Sequence, residues 1–189
     1  MPAPYFFGYG SLVNRATHSY PDASPAQLDG WQRVWRHTDW HATAFLSVEP
    51  AKDARIDGLI AHVPNSDWAA LDAREGGYQR TPSNGAVRHN AHHDIDIAHY
   101  VVAGTWEDDQ LTPKPILLSY IDVVIQGFLQ EFGKPGAARF FTTTNGWETP
   151  ILNDRAAPRY PRHQALTNEE TALVDKHLND LNVRIVNEL

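Results

Sequence analysis

The stretch Tyr5-Phe6-Phe7-Gly8-Tyr9-Gly10-Ser11-Leu12 joins an aromatic run to two closely spaced glycines. The aromatic run predicts a short buried strand that ends at the glycines. Glycines on either side of Tyr9 let the backbone turn tightly and approach a ligand, and successive N–H groups in such a turn can bind an anion. Ser11 adds a hydroxyl. The alternative interpretation is a tight turn without a ligand, and no Gly-Lys-Ser/Thr follows to make a P-loop.

A second motif, Leu71-Asp72-Ala73-Arg74-Glu75-Gly76-Gly77-Tyr78, lies about sixty residues further along the chain. The sequence predicts a helix from about Ser66, its N-cap, to Arg74 or Glu75, with Gly76 as the stop. The partial negative charge at a helix C-terminus disfavours a carboxylate, so Glu75 should be more basic, as a general base requires. The alternative is a solvated glutamate at a helix end. Asp72 and Arg74 are expected to be ordinary surface charges.

Several other segments have the composition or the period of strands. They are rich in aromatic or β-branched residues, or alternate polar and apolar, with Gly30, Pro50 and Pro64 as punctuation. The predicted strands are Trp31–Trp40, Thr43–Val48, Ile56–Val63 and the run from Asp94 to Val102. We expect the three tryptophans Trp31, Trp35 and Trp40 to belong to the core rather than to a stacking surface.

Helical patterns dominate the second half of the chain. Pro115 opens the longest apolar helix, whose face is Leu117, Ile121, Val124 and Phe128, with Gly133 past its end. Thr167 and Glu170 form a capping-box pair ahead of a final helix with Val174, Leu178, Leu181 and Ile185 on one face. Strands followed by helices predict an α+β fold, and we expect a single domain over residues 1–189 with a helical half from about residue 115.

Composition excludes several classes of protein. The 189 residues carry a net charge of −7 and contain no cysteine, so neither a basic nucleic-acid-binding surface nor thiolate chemistry is expected. The N-terminus has no signal-peptide pattern, and no segment reaches the apolar length of a membrane span. A soluble, cytoplasmic protein is expected, without nucleic-acid or membrane partners.

The two motifs, in this order and at this separation, resemble the gamma-glutamylcyclotransferase superfamily and especially its ChaC-like branch. Gly30-Trp31-Gln32-Arg33 matches a further family motif, so the likeness covers roughly residues 5–80. Asn153 to Arg162 resembles a C-terminal tail of bacterial members. The chain is therefore identified as a bacterial-type member of the superfamily.

The resemblance implies a small mixed β-barrel flanked by helices, with a cavity at one mouth. It implies that Tyr9, Gly10, Ser11 and Leu12 bind the γ-glutamyl group of a small-molecule substrate, and that Tyr78 also contacts it. Glu75 would be the catalytic acid and base while the substrate's α-amine attacks its own γ-carbonyl. The products would be 5-oxoproline and an amino compound, and no metal or organic cofactor would be needed. The Arg-Glu-Gly-Gly-Tyr turn is one residue shorter than the usual ChaC form, which leaves glutathione open as a substrate.

The sequence also allows other functions and other sites. The same fold could act on γ-glutamylamines, or could bind a small molecule without turnover. A histidine-rich stretch invites a metal, but the strand period from Asp94 onward favours a polar hairpin, and we expect no metal; its members are His89, His92, His93, His99, Asp94 and Asp96. Arg155, Arg159 and Arg162 either hold a substrate carboxylate or belong to a rigid surface tail.

Overall fold

The computed structural model describes residues 2–39, 41–83, 85–102 and 114–188. Trp40, predicted as a strand end and a core residue, lies outside this part of the chain. The described strands are β1 (Ala3–Gly8), β2 (Ser24–Arg36), β3 (Phe45–His62), β4 (Tyr78–Pro82), β5 (Val87–Arg88), β6 (Ile95–Val102), β7 (Ile116–Leu117), β8 (Thr144–Asn145), β9 (Ile151–Leu152) and β10 (Ile185–Val186). The helices are α1 (Trp68–Arg74), α2 (Leu118–Thr142) and α3 (Asn168–Asp180), with short 3-10 turns at Ser11–Val13, Arg15–Thr17 and Pro64–Ser66.

The main sheet is mixed and curls into a half-barrel, which confirms the predicted α+β fold class. Its order is β4-β6-β1-β3-β2-β5, and β8 pairs with β2. Strand β1 is central because it pairs in parallel with β6 and antiparallel with β3. The apolar face of α2 packs against this sheet in one core, where Phe7, Ile60 and Phe128 are almost fully buried. Within the described residues, no helix is long and apolar enough to cross a bilayer.

Strands β2 and β3 form one long antiparallel ribbon, so the predicted breaks at Gly30 and Pro50 are wrong. Gly30 has a φ of 77° and lies at a register shift between Asp29 and Trp31, which is a bulge rather than an end. Pro50 lies opposite Trp31 at this bulge. On its other side β3 pairs with β1 only at Leu59–His62 among the described residues, so the missing N–H of Pro50 costs no ladder bond there.

Helix α1 confirms the predicted helix but not its caps. The N-cap is Asp67, whose side chain accepts from the Ala70 N–H, while Ser66 belongs to the preceding 3-10 turn. The chain reverses at Gly77, whose φ is 92°, rather than at Gly76. The left-handed conformation that follows the helix requires the second glycine of the pair.

Helix α2 begins later than predicted, because Ile116 and Leu117 pair with β9 as a strand. Gly133, with a φ of 64°, interrupts the helix where the sequence predicted its end, and a second helical segment continues to Thr142. Burial of the apolar residues on both segments against the sheet accounts for this continuation.

Helix α3 has the predicted capping box of Thr167 and Glu170, and Val174 and Leu178 are fully buried. The predicted continuation of this face is wrong. Leu181 is 38% exposed, and Ile185 lies in β10, where it pairs with Ile151. Strand pairing at the edge of the small sheet β10-β9-β7 therefore replaces a last helical turn.

Candidate active site

The loop that follows β1 is held from both sides. The Tyr9 ring is buried, and its hydroxyl donates to the Tyr100 carbonyl at 2.6 Å. The Tyr9 carbonyl accepts from Arg33 Nε at 2.9 Å. Gly10 then precedes the 3-10 turn Ser11–Val13. Tyr9 therefore contributes its backbone to the loop, while its side chain serves as an anchor.

Two glycines in the loop have no space for a side chain. A Cβ on Gly10 would lie 2.5 Å from the Tyr120 hydroxyl oxygen, and one on Gly8 would lie 2.5 Å from the Leu12 Cβ. The Tyr120 hydroxyl is also in hydrogen-bond contact with the Ser11 backbone. The two glycines thus let Leu12 and Tyr120 pack directly against the loop backbone, where a side chain would clash.

Arg33, on β2, is fully buried and supports this loop. Besides Tyr9, its guanidinium donates to the Asp57 carbonyl and to Thr143 Oγ1, and it lies 4.9 Å from the Phe128 ring centroid. Burial lowers the pKa of Arg33 to about 9, and the charge of Asp57 opposes this shift. The sequence marked Arg33 only through the family motif, because a buried arginine has no periodic signature.

Glu75 is the C-cap of α1, and its side chain is only 17% exposed. Its Oε1 accepts from Arg74 Nε at 3.0 Å. Arg74 is not the ordinary surface charge that the sequence predicted, because its side chain is 9% exposed and donates to the Thr17 carbonyl and Thr17 Oγ1 at 2.8 and 3.0 Å. The guanidinium connects Glu75 to the segment that follows the loop.

The pKa of Glu75 is raised above its ordinary value, in the direction that the sequence argument predicted. Burial of the carboxyl is the largest cause, whereas the sequence argument assigned the effect to the field of the helix end. The charge and hydrogen bond of Arg74, and the charge of Arg162, oppose the rise. A carboxyl with this balance ionises near neutral pH more reluctantly than an exposed one, and its conjugate base accepts a proton more readily.

The structure places all six predicted site residues around one small hollow of about 30 Å³. They are Tyr9, Gly10, Ser11, Leu12, Glu75 and Tyr78. A larger cavity of about 450 Å³ opens beside it, and the two share Ser11, Leu46, Glu75, Tyr78 and Tyr120. The second volume falls in the range of small-molecule sites. We refer to these spaces as the inner hollow and the outer cavity.

Aromatic residues line the same spaces, and the sequence did not single out Tyr120 among them. The Tyr120 ring contacts the Tyr160 ring edge to face, with centroids 5.0 Å apart, and Tyr78 donates its hydroxyl to the Leu46 carbonyl at 2.8 Å. Burial raises the pKa of both Tyr78 and Tyr120, so both stay neutral hydroxyls. The sequence signal for Tyr120 is its spacing, three residues after Leu117 and four before Val124, which places it at the edge of the predicted apolar face.

The histidine-rich stretch is separate from this site. Among the described residues, no group of three or more potential ligands is close enough to hold a metal ion. His99 lies in β6 and packs against the Trp31 ring at 4.6 Å, where burial lowers its pKa to about 4. Trp35 is 4% exposed and Trp31 packs against the core, as predicted. That the protein binds no metal stays a prediction.

Solved structures of other proteins resemble this chain in fold. A solved structure named gamma-glutamyl cyclotransferase has a TM-score of 0.55 at 13% identity, over 91% of this chain and 98% of that one. YkqA from Bacillus subtilis has a TM-score of 0.55 at 18% identity, over 77% of this chain and 57% of that one. An uncharacterized protein from Homo sapiens has a TM-score of 0.53 at 14% identity, over 90% of this chain and 97% of that one. These likenesses show the fold, and no curated protein sequence matches.

The family described as gamma-glutamyl cyclotransferase, AIG2-like, matches residues 6–117. The matched region includes the loop after β1, the buried Arg33 and the Glu75 turn. Since it spans more than half of the 189 residues, the chain belongs to the gamma-glutamyl cyclotransferase, AIG2-like family.

Proposed function

We propose that the protein cyclises a γ-glutamyl amide to 5-oxoproline and releases the amino compound, with Glu75 as the catalytic acid and base. The observation that carries the proposal is the largely buried Glu75 carboxyl on the same inner hollow as the Tyr9–Leu12 loop. Family membership supports the reaction class. The position of the carboxyl supports the assignment of its role.

Proton transfer is the chemical demand that Glu75 would meet. The substrate α-amine is an ammonium at neutral pH, so a base must remove a proton before the nitrogen can attack the γ-carbonyl carbon. The new C–N bond closes the five-membered ring, and the bond to the leaving nitrogen then breaks. That nitrogen must gain a proton, because an amide anion is a poor leaving group. One carboxylate can accept the first proton and deliver the second, and burial raises the pKa of Glu75 toward the range that suits both steps.

The loop backbone is the candidate for stabilising the oxyanion of the tetrahedral intermediate. Gly8 and Gly10 let Leu12 and Tyr120 pack closely against this backbone, and N–H groups fixed in a dry site stabilise developing negative charge without reorganising. Tyr9 and Arg33 hold the loop in place before substrate binds. This preorganisation is what the buried arginine contributes to the proposed reaction.

The two volumes support one placement of a substrate. The inner hollow, at about 30 Å³, has room for about two ordered waters and not for a γ-glutamyl group. A substrate would therefore bind in the outer cavity, with its reacting carbonyl at the boundary lined by Ser11 and Glu75. The leaving amino compound would extend toward the open side.

The test is release of 5-oxoproline from γ-glutamyl amino acids, glutathione and γ-glutamylamines by purified protein. Glu75→Gln should remove the activity, and Glu148→Gln, an exposed glutamate outside both cavities, should retain it. Binding of these compounds without any 5-oxoproline would contradict the proposed reaction and favour a binding protein on the same fold.

A further inference from the structure

The three arginines of the segment that follows β9 differ in what they contact. Arg155 is engaged, because it donates to Asp122 and Asp175 in ion pairs of 2.7 Å. Arg159 and Arg162 form no side-chain hydrogen bond or ion pair with any residue that the structure describes. Both line the outer cavity. Of the two sequence alternatives for this segment, a structural role holds for Arg155, while the guanidiniums of Arg159 and Arg162 have no hydrogen-bond or ion-pair partner within the described part of the chain.

The backbone that carries these two arginines is firmly held. The Arg159 N–H donates to Asp154 Oδ2 at 2.8 Å, and the Tyr160 N–H donates to Ser119 Oγ at 3.2 Å. Ser119 in turn donates its N–H and its hydroxyl to the Asp154 carboxylate at 2.8 and 2.6 Å. Asp154 and Ser119 are both buried. The backbone at Arg159 and Tyr160 is thus attached to the first turn of α2, and Arg162 follows two residues later.

The charge of the outer cavity is unbalanced. Among its described lining residues, the carboxylate Glu75 is paired with Arg74, so Arg159 and Arg162 leave an excess of positive charge. This occurs in a chain whose net charge is −7. The charge of Arg162 acts on the pKa of Glu75, which places its guanidinium within electrostatic reach of the reacting end. A local positive excess in a partly enclosed space favours an anionic ligand.

We propose that Arg159 and Arg162 bind a carboxylate on the leaving amino compound, so that the site selects γ-glutamyl amino acids and peptides over γ-glutamylamines. The inference rests on the proposed function, because it assigns the part of the substrate that lies beyond Glu75. Neither arginine lines the inner hollow, at whose boundary with the outer cavity the γ-glutamyl carbonyl would lie. Guanidinium groups match carboxylates through paired N–H donors, which a neutral alkyl amine cannot use.

The test compares γ-glutamylalanine with γ-glutamylethylamide, which differ only in the leaving-group carboxylate. Wild type should have a kcat/KM about 10- to 100-fold higher for γ-glutamylalanine, the range given by charge-assisted hydrogen bonds. Arg159→Ala/Arg162→Ala should lose this preference by slowing only the γ-glutamylalanine reaction. Arg184→Ala removes an exposed arginine outside both cavities and should keep the preference. Circular dichroism and melting temperature check that each variant is folded.

Two outcomes would overturn the proposal. One is a wild-type protein without preference between the two compounds. The other is an equal loss on both compounds in the double variant, which would place the arginines at the γ-glutamyl group. If neither compound yields 5-oxoproline, the proposed function fails separately. Calorimetric titration of the same pair then tests the subsite, with tighter wild-type binding of γ-glutamylalanine expected and equal Kd values contradicting it.

Discussion

The carboxylates of Asp122 and Glu75 are both largely buried beside an arginine, and their surroundings differ. Asp122 receives two hydrogen bonds of 2.7 Å from Arg155, which also bonds Asp175. Glu75 receives a single bond of 3.0 Å from Arg74. Burial is the largest cause of a raised pKa at both carboxyls. The bidentate pair uses both oxygens of Asp122, whereas Glu75 keeps one oxygen uncommitted to Arg74.

The Arg155–Asp122 ion pair occupies both carboxylate oxygens and is suited to stabilising the fold. The Arg74–Glu75 ion pair leaves one carboxylate oxygen available for proton transfer. The two carboxylate partners of Arg155 raise its pKa, and the short bidentate geometry favours the ionised form of the Arg155–Asp122 pair despite the burial of Asp122. Glu75 faces a hollow and a cavity and has no second cationic partner in direct contact among the described residues. Burial beside an arginine therefore does not by itself fix the role of a carboxylate.

The largest expected effect is on turnover, through Glu75→Gln. We expect a decrease in kcat of about a hundred- to ten-thousandfold, because a carboxamide can neither accept nor deliver the proton. Gln keeps the shape of the side chain, so the calorimetric Kd for a non-reactive γ-glutamyl analogue should change little. Near-normal turnover would make Glu75 only a helix-end residue, and an equal loss of turnover and affinity would make it a binding group.

The second effect is on stability, through Arg155→Met. Removal of the guanidinium leaves the Asp122 carboxylate buried without its partner, which should cost about 3 kcal/mol, at the lower end because Arg155 is partly exposed. A chain of this size would lose about 6–12 °C in melting temperature. Arg184→Met changes an exposed arginine in the same way and should have the melting temperature of the wild type. An unchanged melting temperature for Arg155→Met would show that the bidentate pair contributes nothing to stability.

A third effect is on catalytic efficiency, through the contact between Gly10 and Tyr120. Tyr120 lies two residues before Asp122 on α2 and lines both the inner hollow and the outer cavity. Gly10→Ala would place a Cβ 2.5 Å from the Tyr120 hydroxyl oxygen, and we expect about a tenfold lower kcat/KM from the displaced loop. Adding Tyr120→Phe removes that oxygen and should restore part of the loss. If the double variant is no better than Gly10→Ala, the loop is not displaced by this contact.

The smallest effect is on the pH dependence of stability. Since burial raises the folded-state pKa of Glu75, the folded protein holds more protons than the unfolded chain between the ordinary and the raised value. The stability from this group is therefore complete below the ordinary value and is lost as pH rises through the raised one. Glu75→Gln cannot ionise, so it should melt above wild type at neutral pH.

The same melting curves near pH 4 provide the internal comparison, because Glu75 is largely protonated there and the two proteins should converge. Glu148→Gln changes an exposed glutamate and should have the melting temperature of the wild type at both pH values. A Glu75→Gln variant that melts below wild type at neutral pH would mean that the Arg74 bond outweighs the cost of burial.

Much of the site followed from local chemistry. The strand β1, the glycine loop and the helix ending near Glu75 each have a short-range signal, and the structure brings their predicted residues to one hollow. The capping box of α3 was also readable, because Thr167 and Glu170 are three residues apart and satisfy each other's backbone. The breaks predicted at Gly30 and Pro50 failed because strand pairing overrides a local disruption.

Sequence thus determined which backbone segments turn and which glutamate follows a helix, because glycine conformation and helix capping act over a few residues. The tertiary structure alone decided that Arg33 supports the loop, that Arg74 pairs with Glu75 while contacting Thr17, and that Arg155 is engaged while Arg162 faces the cavity. These contacts join residues far apart in the chain. Charges that look alike in sequence acquire different roles because burial and the number of partners differ between them.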